Sequence, residues 1–320
     1  MCKHKTKREE FKNLKENPEK YIDWIKQEAE HFKNDIHTPK EIYDGIQRKK
    51  RTIIVPTFRE QIIHHMVVNI LKPIIMKSII GQSYGSIPGR GAHLAKKHIE
   101  KMIRKGEDIK YCLKMDIKKY FDSIPHDKLK AFFERKIKDQ KFLGVLNEIT
   151  DVIDHGMPLG FYTSQWIANW YLSNLDHYIK EHLYAPHYYR YMDDMVIFGS
   201  NKRKLHKTRL CIEKELKDLG LEMKSNWQVF RFTSLDFMGF RFWRDRTTLR
   251  RKIMLKATRK ARRIAKKQRI TAHDARQMLS YLGWFKCTDT YNVLENIIFK
   301  YVDLRELRKI ISNADKKKAT

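Results

Sequence analysis

Two adjacent carboxylates, Asp193 and Asp194, lie in the tetrapeptide Tyr191–Asp194 (YMDD). The residues on both sides are aromatic and β-branched, so they predict two short strands joined by a tight turn. Two anions at a hairpin tip repel each other unless a cation offsets them, and Mg²⁺ prefers carboxylate oxygens. The tetrapeptide therefore indicates a metal-dependent site, although a solvated acidic turn at the surface would have the same sequence.

A third carboxylate, Asp116, lies at the end of an apolar strand predicted over Tyr111–Ile117. An acid in that position can project from the sheet edge and meet Asp193 and Asp194 across neighbouring strands. Three carboxylates and a main-chain carbonyl could hold two Mg²⁺ about 3.5–4 Å apart, which would activate an attacking hydroxyl and stabilise a leaving pyrophosphate. The predicted chemistry is nucleotidyl transfer. The alternative is that Asp116 is simply the N-cap of the following helix.

Two glycine-bearing segments and a cation could surround a nucleotide at such a site. Gly156–Gln165 (GMPLGFYTSQ) lets the backbone approach a base pair or phosphate closely, and the helix after it could wall a nucleotide pocket. Ser83–Gly91 (SYGSIPGRG) could hold a phosphodiester backbone, and Arg51 could contact a triphosphate. The alternatives are an ordinary glycine-bearing helix entry for Gly156–Gln165 and a surface charge run for Arg51.

The charge of the chain indicates a polyanionic partner. Its 320 residues include 67 Lys and Arg against 38 Asp and Glu, a formal net charge of +29. Aromatic residues make up 12% of the chain. Basic side chains suit phosphates and aromatic faces suit bases, so the combination favours nucleic acid over a membrane surface. A soluble basic protein with no such partner is the alternative.

Several other classes of protein are disfavoured. No run approaches the roughly 18 apolar residues of a membrane span, and Met1–Lys5 lacks the apolar core of a signal peptide. The cysteines are too far apart for a zinc or disulfide framework, at positions Cys2, Cys112, Cys211 and Cys287. His64 and His65 lie in an apolar helical run, which favours packing or surface roles over metal ligation.

The elements that must position these residues follow no regular alternation. An amphipathic helix is predicted around Tyr21–Phe32, and helical spacing recurs from Glu60 to Ile80 with a break at Pro73. Further helices are expected over Ala92–Lys105, Lys204–Leu219 and Arg250–Lys267, and strands over Arg51–Pro56, Val229–Phe232 and Phe237–Trp243. Helices inserted between hairpin strands predict an α+β fold. We expect a helical N-terminal extension over residues 1–50, a main domain over 51–245 and a small, basic, all-helical domain with a charged tail over 246–320.

Seven blocks, in order, resemble the successive blocks of reverse transcriptases. They are RTIIVP from Arg51, SYGSIPGRG from Ser83, LKMDIKKYFDSI from Leu113, GMPLGFYTSQ from Gly156, YMDD from Tyr191, LGLEMK from Leu219 and LDFMGF from Leu235. The first two look like those of the bacterial, group II intron-like lineage. The resemblance implies a right-hand polymerase with fingers and palm over 51–245, an antiparallel sheet with helices, and a small helical thumb over 246–320.

The resemblance also implies the catalytic residues. Asp116 and Asp193 match the aspartates that bind two catalytic Mg²⁺, for which Mn²⁺ can substitute. Asp194 supports the site, and the main-chain carbonyl of Ile117 joins the ligands. Phe121 falls where an aromatic ring excludes the 2′-hydroxyl of a ribonucleotide, with core packing as its alternative role.

Further residues match positions that hold the substrates. Arg51 matches the fingers arginine that contacts the incoming triphosphate, and Phe237, Met238 and Gly239 match the primer grip. Lys224 falls in the block where a lysine can protonate pyrophosphate, although the local spacing departs from the usual pattern. The basic helix Arg250–Lys267 would lie along the template–primer minor groove, where phosphate contacts fix position without reading sequence.

One block departs from the more usual QGxxxSP pattern. Leu159 and Gln165 flank Gly160 in a form similar to the reverse transcriptases of diversity-generating retroelements, as are NWQVF from Asn226 and YLGWFK from Tyr281. Leu159, Gly160 and Gln165 would contact the nascent pair and the incoming nucleotide. Leucine cannot donate the hydrogen bonds of the usual glutamine, and each 1.4 kcal/mol of lost discrimination is about tenfold in errors. We expect error-prone synthesis, chiefly opposite template adenines.

This subgroup resemblance implies several partners. They are a structured template RNA, a cDNA or DNA primer and a small basic accessory protein oligomer encoded nearby, in the cytoplasm of a bacterial or phage-infected cell with no membrane. The alternatives are a reverse transcriptase of a retron, an abortive-infection system or a reduced group II intron. A more distant alternative is a non-catalytic nucleic-acid-binding module on a polymerase scaffold.

Overall fold

Two compact units make up the part of the chain that the computed structural model describes, residues 9–44, 49–106 and 109–316. The first is drawn from Met1–Gly91 and Lys110–Phe230, and the second from Ala92–Ile109 and Arg231–Thr320. The expectations for Met1–Lys5, for Cys2 and for the last four residues of the tail fall outside the described residues.

Helices account for most of the described chain. In order they are α1 Glu9–Glu16, α2 Pro18–Glu30, α3 Phe58–Ser78, α4 Ala92–Arg104, α5 Tyr120–Ser123, α6 His126–Lys136, α7 Gln140–Thr150, α8 Tyr162–Tyr171, α9 Ser173–His177, α10 Lys202–Asp218, α11 Arg251–Ala265, α12 Ala272–Phe285, α13 Tyr291–Val293 and α14 Leu304–Lys316. Single π-helical turns follow α9 at Tyr178–His182 and α13 at Leu294–Ile298.

The strands form one hairpin and two sheets among the described residues. They are β1 Lys40–Asp44, β2 Lys49–Ile53, β3 Tyr111–Asp116, β4 Tyr188–Tyr191, β5 Asp194–Gly199, β6 Gln228–Arg231, β7 Ser234–Phe237, β8 Phe240–Trp243 and β9 Thr247–Leu249. β1 and β2 form a hairpin, a four-stranded sheet has the order β4-β5-β3-β6, and a three-stranded sheet has the order β7-β8-β9. The predicted hairpin around Tyr191–Asp194 is therefore confirmed, as β4 and β5.

The core of the first unit lies between the four-stranded sheet and helices α3 and α8. Leu113 of β3 and Ile197 of β5 are paired and buried, and they share one apolar cluster with Val67 of α3 and Ile167 of α8. β3 and β5 are central strands with apolar residues on both faces, which is typical of a sheet covered by helices. A rigid scaffold of this kind can fix the side chains at the ends of its strands.

Helix α3 corrects one expectation, because it continues through Pro73. Thr57 and Glu60 form a capping box that starts the helix, and its buried residues, including Leu71 and Ile75, lie on both sides of the proline. Pro73 is exposed, as is Asn69 one turn before it. The hydrogen bond that proline removes thus lies on the exposed side of the helix, and the apolar contacts on the buried side hold the helix together.

The N-terminal extension, expected to be helical, and the C-terminal domain, expected to be all-helical, both also contain a strand. The predicted N-terminal helix is observed as α2, but Lys40–Asp44 is strand β1. In the second unit, the segment predicted as one strand over Phe237–Trp243 contains the turn between β7 and β8. Thr247–Leu249, within the predicted helical domain, forms β9 and completes their sheet. Short strands of this kind carry little periodicity, so the helical pattern after them dominates the sequence signal.

Helices α11 to α14 of the second unit match the predicted helical character. The buried side of α11 consists of Ile253, Ala257, Ala261 and Ile264, at helical spacing. Its other positions carry the lysines and arginines noted in the sequence. Across the described ranges, the helices are all too short or too polar to cross a bilayer.

Candidate active site

The three predicted carboxylates meet at one end of the four-stranded sheet. β3 and β5 are antiparallel, and their register places Asp116 opposite Asp194. Asp193 belongs to the two-residue turn between β4 and β5, and its carbonyl accepts the Ile117 N–H at 3.3 Å. Antiparallel pairing thus brings together acids that are almost 80 residues apart in the sequence. The N-cap position of the following helix is Lys119, so Asp116 does not cap it.

The electrostatics of this cluster are dominated by burial and by like charge. Burial, together with the neighbouring Asp116 carboxylate, raises the pKa of Asp193 above its ordinary value. Lys224 opposes this effect: its ammonium forms an ion pair with Oδ2 of Asp116, and its N–H donates to the Asp116 carbonyl at 2.8 Å. The Asp116 side chain remains 29% exposed, so the cluster can still be reached from solvent.

The donor set at this cluster fits a hard divalent cation. Oδ1 of Asp116 is buried without a hydrogen-bond partner in the described chain, although the other oxygen is ion-paired. Within the described ranges, no three His, Cys, Asp or Glu side chains are already grouped as a metal cage. Mg²⁺ does not need one, because it is commonly held by one or two carboxylates together with water and phosphate oxygens. Asp116, Asp193, Asp194 and the Ile117 carbonyl are the residues that would hold it.

Phe121 lies on the short helix α5, which begins four residues after Asp116 ends β3. Its ring is half-buried and packs against the main core cluster. Its carbonyl accepts the N–H of Met157 at 2.6 Å. Gly156, with φ of +81°, lies so close that a Cβ there would be 2.3 Å from that carbonyl. The structure therefore packs the segment Gly156–Gly160, here called the glycine loop, against the backbone of the proposed steric gate.

The other end of the glycine loop is attached to the strand that carries Arg51. Ile54 follows β2 and donates its N–H to the carbonyl of Leu159 at 2.7 Å. Gly160 has φ of +112°, and a Cβ there would be 2.1 Å from the Ile54 carbonyl oxygen. Leu159 and Arg51 are half-buried, and Gln165 is exposed on α8. Backbone hydrogen bonds thus connect the glycine loop, which carries Leu159 and Gly160, to the segments that carry Arg51 and Phe121. The fifth predicted nucleotide-binding residue, Gln165, lies in the first turn of α8.

The predicted primer grip lies in the second unit, at the turn between β7 and β8. Met238 and Gly239 both have positive φ, +51° and +87°, as in the type I′ turns that suit antiparallel hairpins. Phe237 is fully buried opposite Phe240. Only Met238 and Gly239 of the three predicted residues are therefore available at the surface of this turn.

A buried polar network behind the Met192–Asp193 turn was not predicted from the sequence. Arg190, on β4, is fully buried and forms two hydrogen bonds with the Asp176 carboxylate, at 2.7 and 2.6 Å. The same guanidinium donates to Oδ1 of Asn169 and to the carbonyl of Met192, each at 3.0 Å. An arginine between aromatic residues in a predicted strand is the sequence signal that could have drawn attention to it, since arginine is rarely buried unpaired.

Comparison with known proteins agrees with this geometry. Residues 36–242 match the family described as reverse transcriptase (RNA-dependent DNA polymerase). Retron Ec73 reverse transcriptase of Escherichia coli is 30% identical over 139 residues, 39% of this chain and 44% of that protein. The group II intron-encoded protein LtrA of Lactococcus lactis subsp. cremoris is 30% identical over 144 residues, 42% of this chain and 24% of that protein. The matches thus span less than half the length of these relatives.

Solved structures with a similar fold include two yeast telomerases. Telomerase of Candida albicans, in complex with the TWJ fragment of telomeric RNA, has a TM-score of 0.54 at 13% identity, covering 93% of this chain and 62% of that one. The corresponding Candida tropicalis complex has a TM-score of 0.53 at 14% identity, covering 94% and 57%. This likeness confirms the predicted α+β right-hand polymerase fold. Since the family match extends over well more than half of its residues, the chain belongs to the reverse transcriptase family.

Proposed function

We propose that this chain is an RNA-directed DNA polymerase that extends a primer by nucleotidyl transfer. The observation that carries the proposal is the strand register that places Asp116 opposite Asp194, with Asp193 in the adjoining turn and Lys224 ion-paired to Asp116. Two Mg²⁺ bound there would activate the primer 3′-hydroxyl and stabilise the leaving pyrophosphate. The chain itself supplies the carboxylates in a fixed register and keeps them accessible at one end of a packed sheet.

Strand β2 and the glycine loop would form the nucleotide pocket. Arg51 would hold the triphosphate, while Leu159, Gly160 and Gln165 would lie against the nascent pair. Phe121 would exclude ribonucleotides, because a ring beneath the sugar leaves no room for a 2′-hydroxyl. The hydrogen bond between Ile54 and Leu159 supports this proposal, since it joins the strand that carries Arg51 to the loop that carries Leu159 and Gly160.

The remaining assignments concern proton transfer and the nucleic acid. Lys224 would give a proton to pyrophosphate, and its ion pair with Asp116 supports this role. The turn at Met238 and Gly239, following Phe237, would position the primer. In this proposal residues 1–50 are an N-terminal extension, 51–245 the fingers and palm, and 246–320 the thumb with its charged tail.

The finer proposal is that synthesis is error-prone opposite template adenines and serves to diversify a target gene. The apolar Leu159 in the pocket supports it, because leucine gives the nascent pair no hydrogen bond. The partners would be a template RNA, a cDNA or DNA primer and a small basic accessory protein oligomer. The setting would be the cytoplasm of a bacterial or phage-infected cell.

Primer extension tests the proposed activity. Purified protein is given a defined RNA template, a DNA primer, deoxynucleotides and Mg²⁺, with and without the accessory protein encoded beside it. We expect Mg²⁺-dependent cDNA from wild type and none from Asp193→Asn, whereas Asp23→Asn, which changes an exposed aspartate of α2, keeps wild-type activity. Unchanged synthesis by Asp193→Asn would refute the metal assignment. Nucleic-acid binding without incorporation by wild type would identify a non-catalytic module.

A retron or group II intron-type reverse transcriptase is the second candidate, favoured by the 30% identity to members of both groups. The DNA around the coding sequence distinguishes the two. A template and variable repeat pair with adenine-biased differences supports the diversity-generating proposal. An adjacent structured noncoding RNA without such repeats supports a retron.

A further inference from the structure

The turn that carries Asp193 has a backbone conformation that its residues do not favour by themselves. Met192 is the first of the two turn residues and has φ of +55°. Hairpin turns that need a positive φ at this place usually have glycine there. A non-glycine residue in this region costs on the order of 1–3 kcal/mol and persists only where surrounding contacts impose it. Something in the fold must therefore hold Met192.

Contacts at three points hold Met192 from behind. Its carbonyl accepts a hydrogen bond from Nη1 of Arg190 at 3.0 Å, and its Sδ lies 3.3 Å from Nδ2 of Asn169. Gly85 lies against its side chain so closely that a Cβ there would be 2.5 Å from Cγ of Met192. Asn169 also donates to the Gly85 carbonyl at 2.7 Å, so the contacts form one connected group.

Arg190 is itself fixed by a buried anion. Its guanidinium and the Asp176 carboxylate are both fully buried, and the pair is bidentate. Asp176 also accepts hydrogen bonds from the Tyr188 hydroxyl at 2.7 Å and from Oγ of Ser83 at 3.0 Å. The two bonds from Arg190 engage both oxygens of this carboxylate, and those from Tyr188 and Ser83 complete its hydrogen bonding. A buried ion pair of this kind adds little net stability over an apolar pair, so its geometry is the feature that needs explanation.

We infer that Arg190, held by Asp176 and Asn169, is a positioning residue that fixes the Met192 turn and thereby the Asp193 carboxylate relative to Asp116. Arg190 does not touch substrate and acts through the backbone of Met192. Only a planar guanidinium can span Asp176, Asn169 and the Met192 carbonyl at once, because lysine offers a single ammonium on a flexible chain. The inference rests on the proposed polymerase function, since it assigns Asp193 to the metal site.

Two buried substitutions separate positioning from ordinary stability. Arg190→Lys keeps the charge opposite Asp176 but cannot also reach the Met192 carbonyl. Tyr188→Phe is the matched control, because it removes one hydrogen bond to the same carboxylate and leaves every contact to Met192 in place. Asn169→Ala is a second test variant, which weakens the support of Met192 while leaving the ion pair intact.

Two measurements are made on full-length protein whose folding is checked by circular dichroism and thermal melting. The first is steady-state primer extension, giving kcat and the KM for deoxynucleotide. The second is binding of Mn²⁺ alone, followed by electron paramagnetic resonance without substrates. A misplacement of about 1 Å at a reacting centre can cost on the order of 100-fold, so we expect Arg190→Lys to lower kcat by roughly 10- to 100-fold. The half-saturating Mn²⁺ concentration of Arg190→Lys should rise severalfold. Asn169→Ala should likewise lower kcat and raise the half-saturating Mn²⁺ concentration.

Tyr188→Phe decides how these results are understood. We expect it to lower the melting temperature while kcat and Mn²⁺ binding stay within about twofold of wild type. Equal losses in Tyr188→Phe and Arg190→Lys, or wild-type kcat and Mn²⁺ binding in Arg190→Lys, would overturn the inference. If Arg190→Lys does not fold, the comparison of kcat and Mn²⁺ binding between Asn169→Ala and Tyr188→Phe tests the inference in its place. If wild type makes no cDNA, the proposed function fails, and the Mn²⁺ measurement still tests the positioning role.

Discussion

Ile54 donates its backbone N–H to the carbonyl of Leu159 at 2.7 Å, and this bond joins the strand of Arg51 to the glycine loop. Because the bond uses only main-chain atoms, the side chain at position 159 can change without breaking it. Leu159 is half-buried at that point, and in the proposed function its side chain lies against the nascent base pair. A substitution at position 159 therefore tests the proposed role in fidelity without removing this bond.

We predict that Leu159→Gln lowers the misincorporation rate opposite template adenines. A glutamine can hydrogen-bond the nascent pair, and about 1.4 kcal/mol of restored discrimination corresponds to a tenfold change. The measurement is sequencing of cDNA made from one defined RNA by wild type and variant. Leu159→Met is the matched control, since it keeps volume and apolar character and should leave the adenine error rate unchanged. Equal adenine error rates for wild type and Leu159→Gln would remove this residue from the explanation.

We predict that Gly160→Ala destabilises the first unit by at least about 2 kcal/mol, because an L-residue is strained at a φ of +112° and its Cβ would overlap the Ile54 carbonyl. Chemical denaturation measures the loss. Gly144→Ala is the opposite case: Gly144 lies in α7 with open space around it, and alanine there should stabilise by roughly 0.5–1 kcal/mol. A Gly160→Ala protein as stable as wild type would show that the loop moves away from Ile54 at little cost.

Sequence reasoning located the acids of the site because each lies where local pattern is strong. Asp116 ends an apolar strand, and Asp193 and Asp194 lie at a turn between two aromatic strands, so strand pairing alone brings them together. The polar network behind these acids was missed because local sequence pattern does not reveal it. Asp176 and Arg190 come from different elements, and only the tertiary fold shows that their side chains meet.

Errors in the predicted elements have a similar origin. A proline usually ends a helix, but Pro73 lies on the exposed side of α3, and buried residues such as Leu71 and Ile75 keep the helix continuous. Strand β9 has only three residues and is fixed by pairing with β8, which local sequence does not encode. Tertiary contacts override local propensity in both cases.

We predict that His64 lowers the free energy of unfolding of the protein as the pH falls into the mildly acidic range. The predicted packing role is observed: His64 is fully buried, its ring centroid lies 4.4 Å from that of Phe161, and burial lowers its pKa to about 3. His64 is therefore protonated below about pH 6.5 in the unfolded chain, whereas in the folded chain it stays neutral until the pH is much lower. Stability is lost as pH falls below 6.5, by about 2 kcal/mol at pH 5.

His64→Met tests this account, because methionine fills a similar volume without titrating. Urea unfolding at pH 7.5 and at pH 5 should show the variant gaining about 2 kcal/mol relative to wild type over that interval. His155→Met, which removes an exposed histidine, is the control and should show no such gain. If both variants follow the wild-type pH dependence, the burial of His64 does not make the stability of the protein depend on pH.

We predict that Lys224→Met destabilises the protein in the absence of divalent metal and much less in its presence. Lys224 supplies a positive charge to Asp116, which lies beside Asp193, and Mg²⁺ would supply the same charge when bound. Because both partners are partly exposed, we expect a loss of about 1 kcal/mol in EDTA, or roughly 2–4 °C in melting temperature. Lys118→Met is the matched control: it breaks a neighbouring exposed ion pair with Glu222 and should lower stability equally with or without Mg²⁺. Melting curves of both variants, with EDTA and with Mg²⁺, decide the question. A Lys224→Met deficit that Mg²⁺ does not reduce would show that the lysine and the metal do not neutralise the same carboxylates.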